Sequence, residues 1–256
     1  MTITSKKLRR KIWLFVILAV LLAACLAAVI YLRPYEPDER AAQAMQSGGG
    51  ITVTDAEKWM IFEKTAGTDQ TAPGIVFYPG GLVKPESYAP LARELALRGY
   101  RTVIVRMPLN LAVLGGGRAE EVLAEDSGRG FVIGGHSLGG VMAARYAAAH
   151  PQQLQGVFML AAYADSKGSL KDKGLPVLSL TGTEDSVLNK ESWEAGRSNL
   201  PADAVIETIP GGNHAQFGSY GFQKGDHPAA ISVQEQTVKT ADAIANWLAE
   251  TAESTR

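Results

Sequence analysis

Phe131-Val132-Ile133-Gly134-Gly135-His136-Ser137-Leu138-Gly139-Gly140 combines an apolar triplet with a glycine-flanked serine, and the alanine-rich run Val141 to Ala149 follows. The triplet predicts a buried strand and the alanine-rich run a helix, so Gly135-x-Ser137-x-Gly139 falls on the turn between them. Such a turn forces the serine into strained backbone angles and leaves its Oγ exposed above the sheet. Glycines on either side let strand and helix approach without Cβ clashes. Roughly 0.15 copies of the bare triplet would arise by chance in so glycine-rich a chain, so its position carries the weight. The plainer alternative is a glycine-rich turn with an inert serine. A nucleotide site is a poorer reading, because neither a P-loop lysine nor a dinucleotide glycine spacing is present.

Apolar strand-like runs alternate with helix-like ones on both sides of this turn. Ile51 to Thr54 and Trp59 to Glu63 predict an opening β pair, and Gly74 to Tyr78 a strand stopped by Pro79-Gly80-Gly81. Further strands are expected at Thr102–Val105, Val157–Leu160, Val177–Leu180 and Val205–Ile209, with a closing amphipathic helix over Gln234–Ala249. Continuous apolar strands separated by helices predict an α/β fold, a mostly parallel sheet covered on both faces.

A nucleophilic serine needs a base and an orienting acid, expected later in the chain as acid, then histidine. His136 adjoins Ser137 and is expected to point away across the turn, and His150 closes a helix. His214, in Pro210-Gly211-Gly212-Asn213-His214, follows the last apolar strand and can bend back over the serine. His227, in the polar loop Gly225-Asp226-His227-Pro228, is expected to be exposed. For the acid, Asp185 lies just past a strand in Gly182-Thr183-Glu184-Asp185, with Glu184 expected in solvent and Asp165 as a second possible orienter. Two backbone donors are expected for an oxyanion: Leu138 N–H and a group in Pro79-Gly80-Gly81-Leu82, assigned to Gly81 with Leu82 as the fallback. Arg106, Met107, Asn110, Gln216, Phe217 and Tyr220 are weaker candidates for lining a substrate site. No histidine–carboxylate spacing suggests a metal, and no cofactor is called for.

The 256 residues carry a net charge of −1, but residues 1–32 hold five basic residues and no acidic one. Residues 33–256 hold twenty basic against twenty-six acidic residues, a sign that repels phosphate backbones and argues against a nucleic-acid partner. Ile12 to Leu32 runs for twenty-one residues without a charge, enough for a helix to span a bilayer. The basic cluster before it places a cytoplasmic N-terminus over residues 1–11, a transmembrane helix over 12–32 and the body on the outer face. A cleaved signal peptide and a lipoprotein lipidated at Cys25, from Leu22-Ala23-Ala24-Cys25, are the alternatives, and both keep the body outside. Residues 33–50 are expected as a linker, and residues 51–256 as the folded domain. Nothing in the pattern points to a particular oligomeric state.

Tyr78-Pro79-Gly80-Gly81, Gly135-His136-Ser137-Leu138-Gly139-Gly140, Gly182-Thr183-Glu184-Asp185 and Gly212-Asn213-His214 resemble segments of the α/β-hydrolase superfamily, in a compact bacterial membrane-anchored branch. The resemblance covers Ile51 to Ala249. It implies an α/β-hydrolase fold and a serine hydrolase cleaving ester-like bonds of small substrates through an acyl-enzyme. Many esterases of the superfamily have His-Gly where this chain has Pro79-Gly80, and dienelactone-hydrolase-like members use a cysteine that is absent here. A catalytically silent binding or sensing module on the same fold is the competing reading. Only the polar stretch Ala161 to Pro176 occupies the usual place of a lid, so an open site with a preference for short acyl groups is expected.

Overall fold

The computed structural model describes residues 3–67 and 71–254, grouped into two compact units, Met1–Pro34 and Tyr35–Arg256. The first unit is a helix, α1 (Ile3–Tyr31), with Trp13, Leu14 and Phe15 exposed along it. Among the described residues no helix is long and apolar enough to cross a membrane. The side chains of residues 25 and 27–31, which belong to the expected span and include Cys25, lie outside the described ones.

The second unit is built on one eight-stranded sheet in the order β1-β2-β4-β3-β5-β6-β7-β8. β1 (Ile51–Asp55) and β2 (Trp59–Lys64) form the expected pair, which is antiparallel, and β2 also runs antiparallel to β4 (Thr102–Val105). β3 (Gly74–Tyr78), β4, β5 (Phe131–His136), β6 (Gly156–Leu160), β7 (Val177–Gly182) and β8 (Val205–Ile209) are all parallel. Alternate side chains of one strand feed two separate cores, as the pleat requires. Ile75 and Phe77 face the core shared with Leu91 and Leu95 of α3 (Ala89–Leu97) and with Ile244 and Trp247 of α7 (Val233–Ser254). Val76 and Tyr78 face the other core, with Val122 of α4 (Ala119–Glu125) and Ala143, Ala144 and Ala147 of α5 (Leu138–Ala149). Helices therefore cover both faces, the arrangement that continuous apolar strands demand.

Two expectations are corrected. The apolar triplet at 131–133 is prolonged as strand through Gly134, Gly135 and His136. Gly134 is accepted in mid-strand because the ring of Phe158 on β6 fills the place of its missing side chain: a Cβ there would sit 2.3 Å from the ring. The expected linker is the second correction, since from Tyr35 onward the chain is built into the body. Tyr35 N–H donates to Leu82 O at 2.7 Å, and Lys84 N–H donates back to Tyr35 O at 3.1 Å. Asp38 caps α2 (Glu39–Ala44), its carboxylate accepting the Ala41 N–H at 2.9 Å, and Ala41 and Ala44 are buried. The charges of Asp38-Glu39-Arg40 mask a helix whose buried face consists of two small alanines.

The place of a lid is filled otherwise. Ala161 to Pro176 forms one short helical turn at Ser166–Gly168 and a second turn closed by Lys173 N–H on Leu170 O, and it buries Leu170 and Leu175, so it belongs to the packed body. α6 (Lys190–Gly196) follows the loop after β7.

Candidate active site

Strain marks one end of the sheet. Leu82, Leu109, Asn110, Ser137 and Ala161 all have positive φ without being glycine, and they follow the C-terminal ends of β3, β4, β5 and β6. Such conformations cost about 1–3 kcal/mol each and collect where function requires them. Ser137 is the sharpest case, with φ 52° and ψ −124° between β5 and α5. Its N–H donates to Leu160 O at 2.9 Å, and its carbonyl accepts the Val141 N–H at 3.1 Å, which ties the turn to β6 and to α5. Gly135 and Gly139 permit this closeness: a Cβ on Gly139 would lie 2.1 Å from Tyr78 O, and one on Gly135 2.6 Å from the same atom.

Asp185 and His214 are brought together from the loops after β7 and β8. His214 Nδ1 and Asp185 Oδ2 are 2.9 Å apart, with side chains only 1% and 2% exposed. The other carboxylate oxygen accepts the N–H groups of Val187 at 2.9 Å and Leu188 at 2.8 Å, so both oxygens of this buried acid are partnered. With Asp185 ionised, it accepts the proton on Nδ1 and leaves a lone pair on His214 Nε2. That nitrogen is buried and has no hydrogen-bond partner among the described residues. Glu184 stays part-exposed beside Thr183, and His227 is exposed. Asp165 is engaged elsewhere: it accepts from Arg145 Nε at 3.0 Å and from the Gly168 N–H, and the guanidinium holds its carboxyl below the usual range.

The loop after β3 discriminates among its own donors. Gly80 N–H donates to Tyr88 Oη at 2.9 Å, and Leu82 N–H donates to Asn110 O at 2.8 Å. Of the three, Gly81 N–H alone has no hydrogen bond among the described residues, and Gly81 stands against the Leu138 side chain. Leu138 is the first residue of α5, so its N–H has no acceptor within the helix.

Several residues with a hold on the site are not apparent in the sequence. His136 does not point away: it is buried, its ring centroid lies 4.6 Å from that of His214, and its Nδ1 is hydrogen-bonded with Tyr88 Oη at 2.8 Å. Since the same hydroxyl receives the Gly80 N–H, Tyr88 and His136 link the loop after β3 to the histidine pair. Burial, reinforced by His214, pushes the His136 imidazole well below its ordinary value, which keeps it neutral. Gln236 of α7 binds both polar backbone groups of Asn213, accepting its N–H at 3.0 Å and donating to its carbonyl at 2.7 Å. Its only signal in the sequence is a glutamine on the helix stripe that also carries Thr240 and Ile244.

The weaker candidates divide. Arg106 pairs with Asp55 and with Glu86, each at 2.6 Å, and with Met107 and Asn110 it lines a cavity of about 370 Å³. Gln216 donates to Ile231 O at 3.2 Å, and Phe217 packs its ring 5.7 Å from that of His136. Tyr220 is buried, with its hydroxyl on Gln223 and its ring against Tyr35. Among the described residues, no three His, Cys, Asp or Glu side chains converge as a metal cage requires.

Residues 74–238 match the Alpha/beta hydrolase family, and the chain belongs to that family. A comparison with curated proteins finds no match. Among solved structures the fold is similar to that of an α/β hydrolase from a lagoon-sediment metagenome of Mar Chica, Morocco, with TM-score 0.58 and 16% identity over 78% of this chain and 98% of that one. It is also similar to a fungal esterase from Rhizomucor miehei, with TM-score 0.61 and 13% identity over 85% and 89%. A bacterial membrane phospholipase A, described as a virulence factor, superposes with TM-score 0.60 and 16% identity over 93% and 98%.

Proposed function

We propose that this protein is a serine hydrolase that cleaves ester-like bonds of small substrates through an acyl-enzyme. The observation that carries the reading is the buried Asp185–His214 pair, with a free Nε2, in a fold whose strained strand-to-helix turn presents a serine. Ser137 Oγ attacks the carbonyl carbon while His214 Nε2 takes its proton, and Asp185 fixes the tautomer and supports the imidazolium. Gly81 and Leu138 N–H donate to the oxygen that becomes negative. Collapse expels the alcohol, which receives the proton from His214, and water then releases the acid by the same steps in reverse. The esterase and phospholipase among the structural neighbours agree with ester cleavage.

The stretch in the usual place of a lid is packed into the body, and the apolar side chains Leu109, Val113 and Leu114 near the loop after β3 stand in solvent. Short acyl groups fit such a site, because each methylene of a longer chain gains about 0.8 kcal/mol only if it is buried. A chain-length series of aryl esters tests the reading. Turnover should be highest for short chains, show no jump above the substrate's solubility limit and vanish in Ser137→Ala. An optimum at twelve carbons or more would contradict the open site, and full turnover by the variant would contradict the nucleophile. The run Ile12–Leu32 behind five basic residues supports a single-pass anchor with the body on the outer face, which protease accessibility in intact cells would test.

A further inference from the structure

The catalytic steps leave one buried carboxylate without a task. Asp226, in the loop before α7, is 6% exposed and forms no ion pair among the described residues. Its Oδ2 accepts the Ala215 N–H at 2.8 Å, and its Oδ1 accepts the N–H groups of Ser186 at 3.3 Å and His227 at 3.1 Å. Ala215 follows His214 in the chain and Ser186 follows Asp185, so one side chain grips the backbone next to each member of the pair. Ser186 Oγ adds a second tie to the same loop, donating to Gly225 O at 2.8 Å.

The charge matters as well as the geometry. Backbone N–H groups compensate the burial of a carboxylate without cancelling its negative sign. Asp185 from the β7 loop bonds the His214 ring and His136 from β5, with Tyr88 behind it, packs against it, while Asp226 and Tyr220 come from the segment before α7, Asp226 bonding the backbone beside His214. His136 is held neutral by burial, and burial, aided by Tyr88, Asp226, Tyr35 and Asp185, keeps the Tyr220 phenol neutral too. Two buried carboxylates, Asp185 on the ring and Asp226 on the adjoining backbone, therefore flank His214, and neither is paired with a Lys or Arg among the described residues.

We propose that Asp226 is a positioning residue for the Asp185–His214 couple, pinning the turn of the acid to the turn of the base and favouring the imidazolium that forms as Ser137 is acylated. The inference rests on the serine-hydrolase reading and extends it to a second carboxylate. Asp226→Asn in the full chain keeps the volume and removes the charge. Relative to wild type, kcat on a short aryl ester, counted per site labelled by a fluorophosphonate, should fall about tenfold or more, with KM changed less than about twofold. The acid limb of kcat/KM should move to lower pH by about half a unit to one unit, because protonated His214 loses one of two negative neighbours. Asp226→Glu, which restores the charge, should return the limb toward its original position. A merely structural residue would lower the melting temperature and the labelled fraction and leave kcat per site and the limb unmoved, and that result would overturn the proposal. Should Asp226→Asn fail to fold, Ser186→Ala loosens the same loop with the charge retained. It should lower kcat per labelled site about threefold without moving the limb, and an unchanged kcat would overturn the pinning. If wild type itself took no label at Ser137, the underlying reading would fall, and the inference with it.

Discussion

Asp185 and Asp165 both lie just past strand ends, yet only one of them meets a histidine. Asp185→Asn removes the acceptor that fixes the His214 tautomer and should reduce turnover by about 10⁴-fold. Asp165→Asn breaks a part-buried pair with Arg145 and should leave kcat within about threefold. A steady-state comparison of the two variants checks the assignment, and the reverse ranking would move the acid to the β6 loop. His136 makes a second prediction through pH. Its imidazole is held well below its ordinary 6.5, first by burial and then by His214, so below about pH 6.5 the unfolded chain binds a proton that the folded chain refuses. The stability owed to neutral His136 is complete above that pH and is lost toward acid, by at most about 1.4 kcal/mol per pH unit for one proton. His136→Asn removes the group, so its urea midpoint should fall less than that of wild type between about pH 7 and pH 5. Equal falls would mean that His136 is not the group resisting protonation. Ser137, Asp185 and His214 are legible as candidates because each sits at a fixed offset from an apolar run. His136, Tyr88 and Asp226 are not, because their partners are far away in sequence and a polar residue in a loop looks the same whether it is buried or exposed.

Elements show the same division. The inner parallel strands are legible because both their faces are buried and they appear as apolar runs, whereas β8, at the edge, is exposed through its middle. The extension of β5 through two glycines is hidden, since what stands against them comes from elsewhere, Phe158 at Gly134 and the Tyr78 and Gly139 backbone at Gly135. α2 is hidden too, because two small alanines make up its buried face. Trypsin would cut quickly after Arg40 in a free linker. In the native chain that bond lies within α2, and it should stay intact while exposed sites are cleaved. Rapid native-state cleavage at Arg40, read by mass spectrometry, would restore the linker. α7 contributes through Gln236, whose side chain completes both backbone hydrogen bonds of Asn213. Gln236→Ala leaves a buried N–H and a buried carbonyl unpartnered and should cost about 2–4 kcal/mol in chemical denaturation. Because the freed backbone adjoins His214, kcat should fall as well. A loss under about 0.5 kcal/mol would show that water replaces the side chain.

At the scale of the whole molecule, one sheet carries the strained turns, the acid and the base at the same ends of adjacent parallel strands, which is where open α/β sheets place their ligands. The fold is common to proteins that act on different substrates, so the chemistry of the site, not the architecture, has to carry the claim of function. That claim is that Ser137 is a nucleophile activated by His214. A fluorophosphonate probe phosphonylates such a serine, and peptide mass spectrometry locates the adduct. The account predicts close to one adduct per chain, on the peptide containing Ser137, together with loss of ester hydrolysis and no adduct in Ser137→Ala. No adduct on wild type, or equal labelling of wild type and variant, would contradict it.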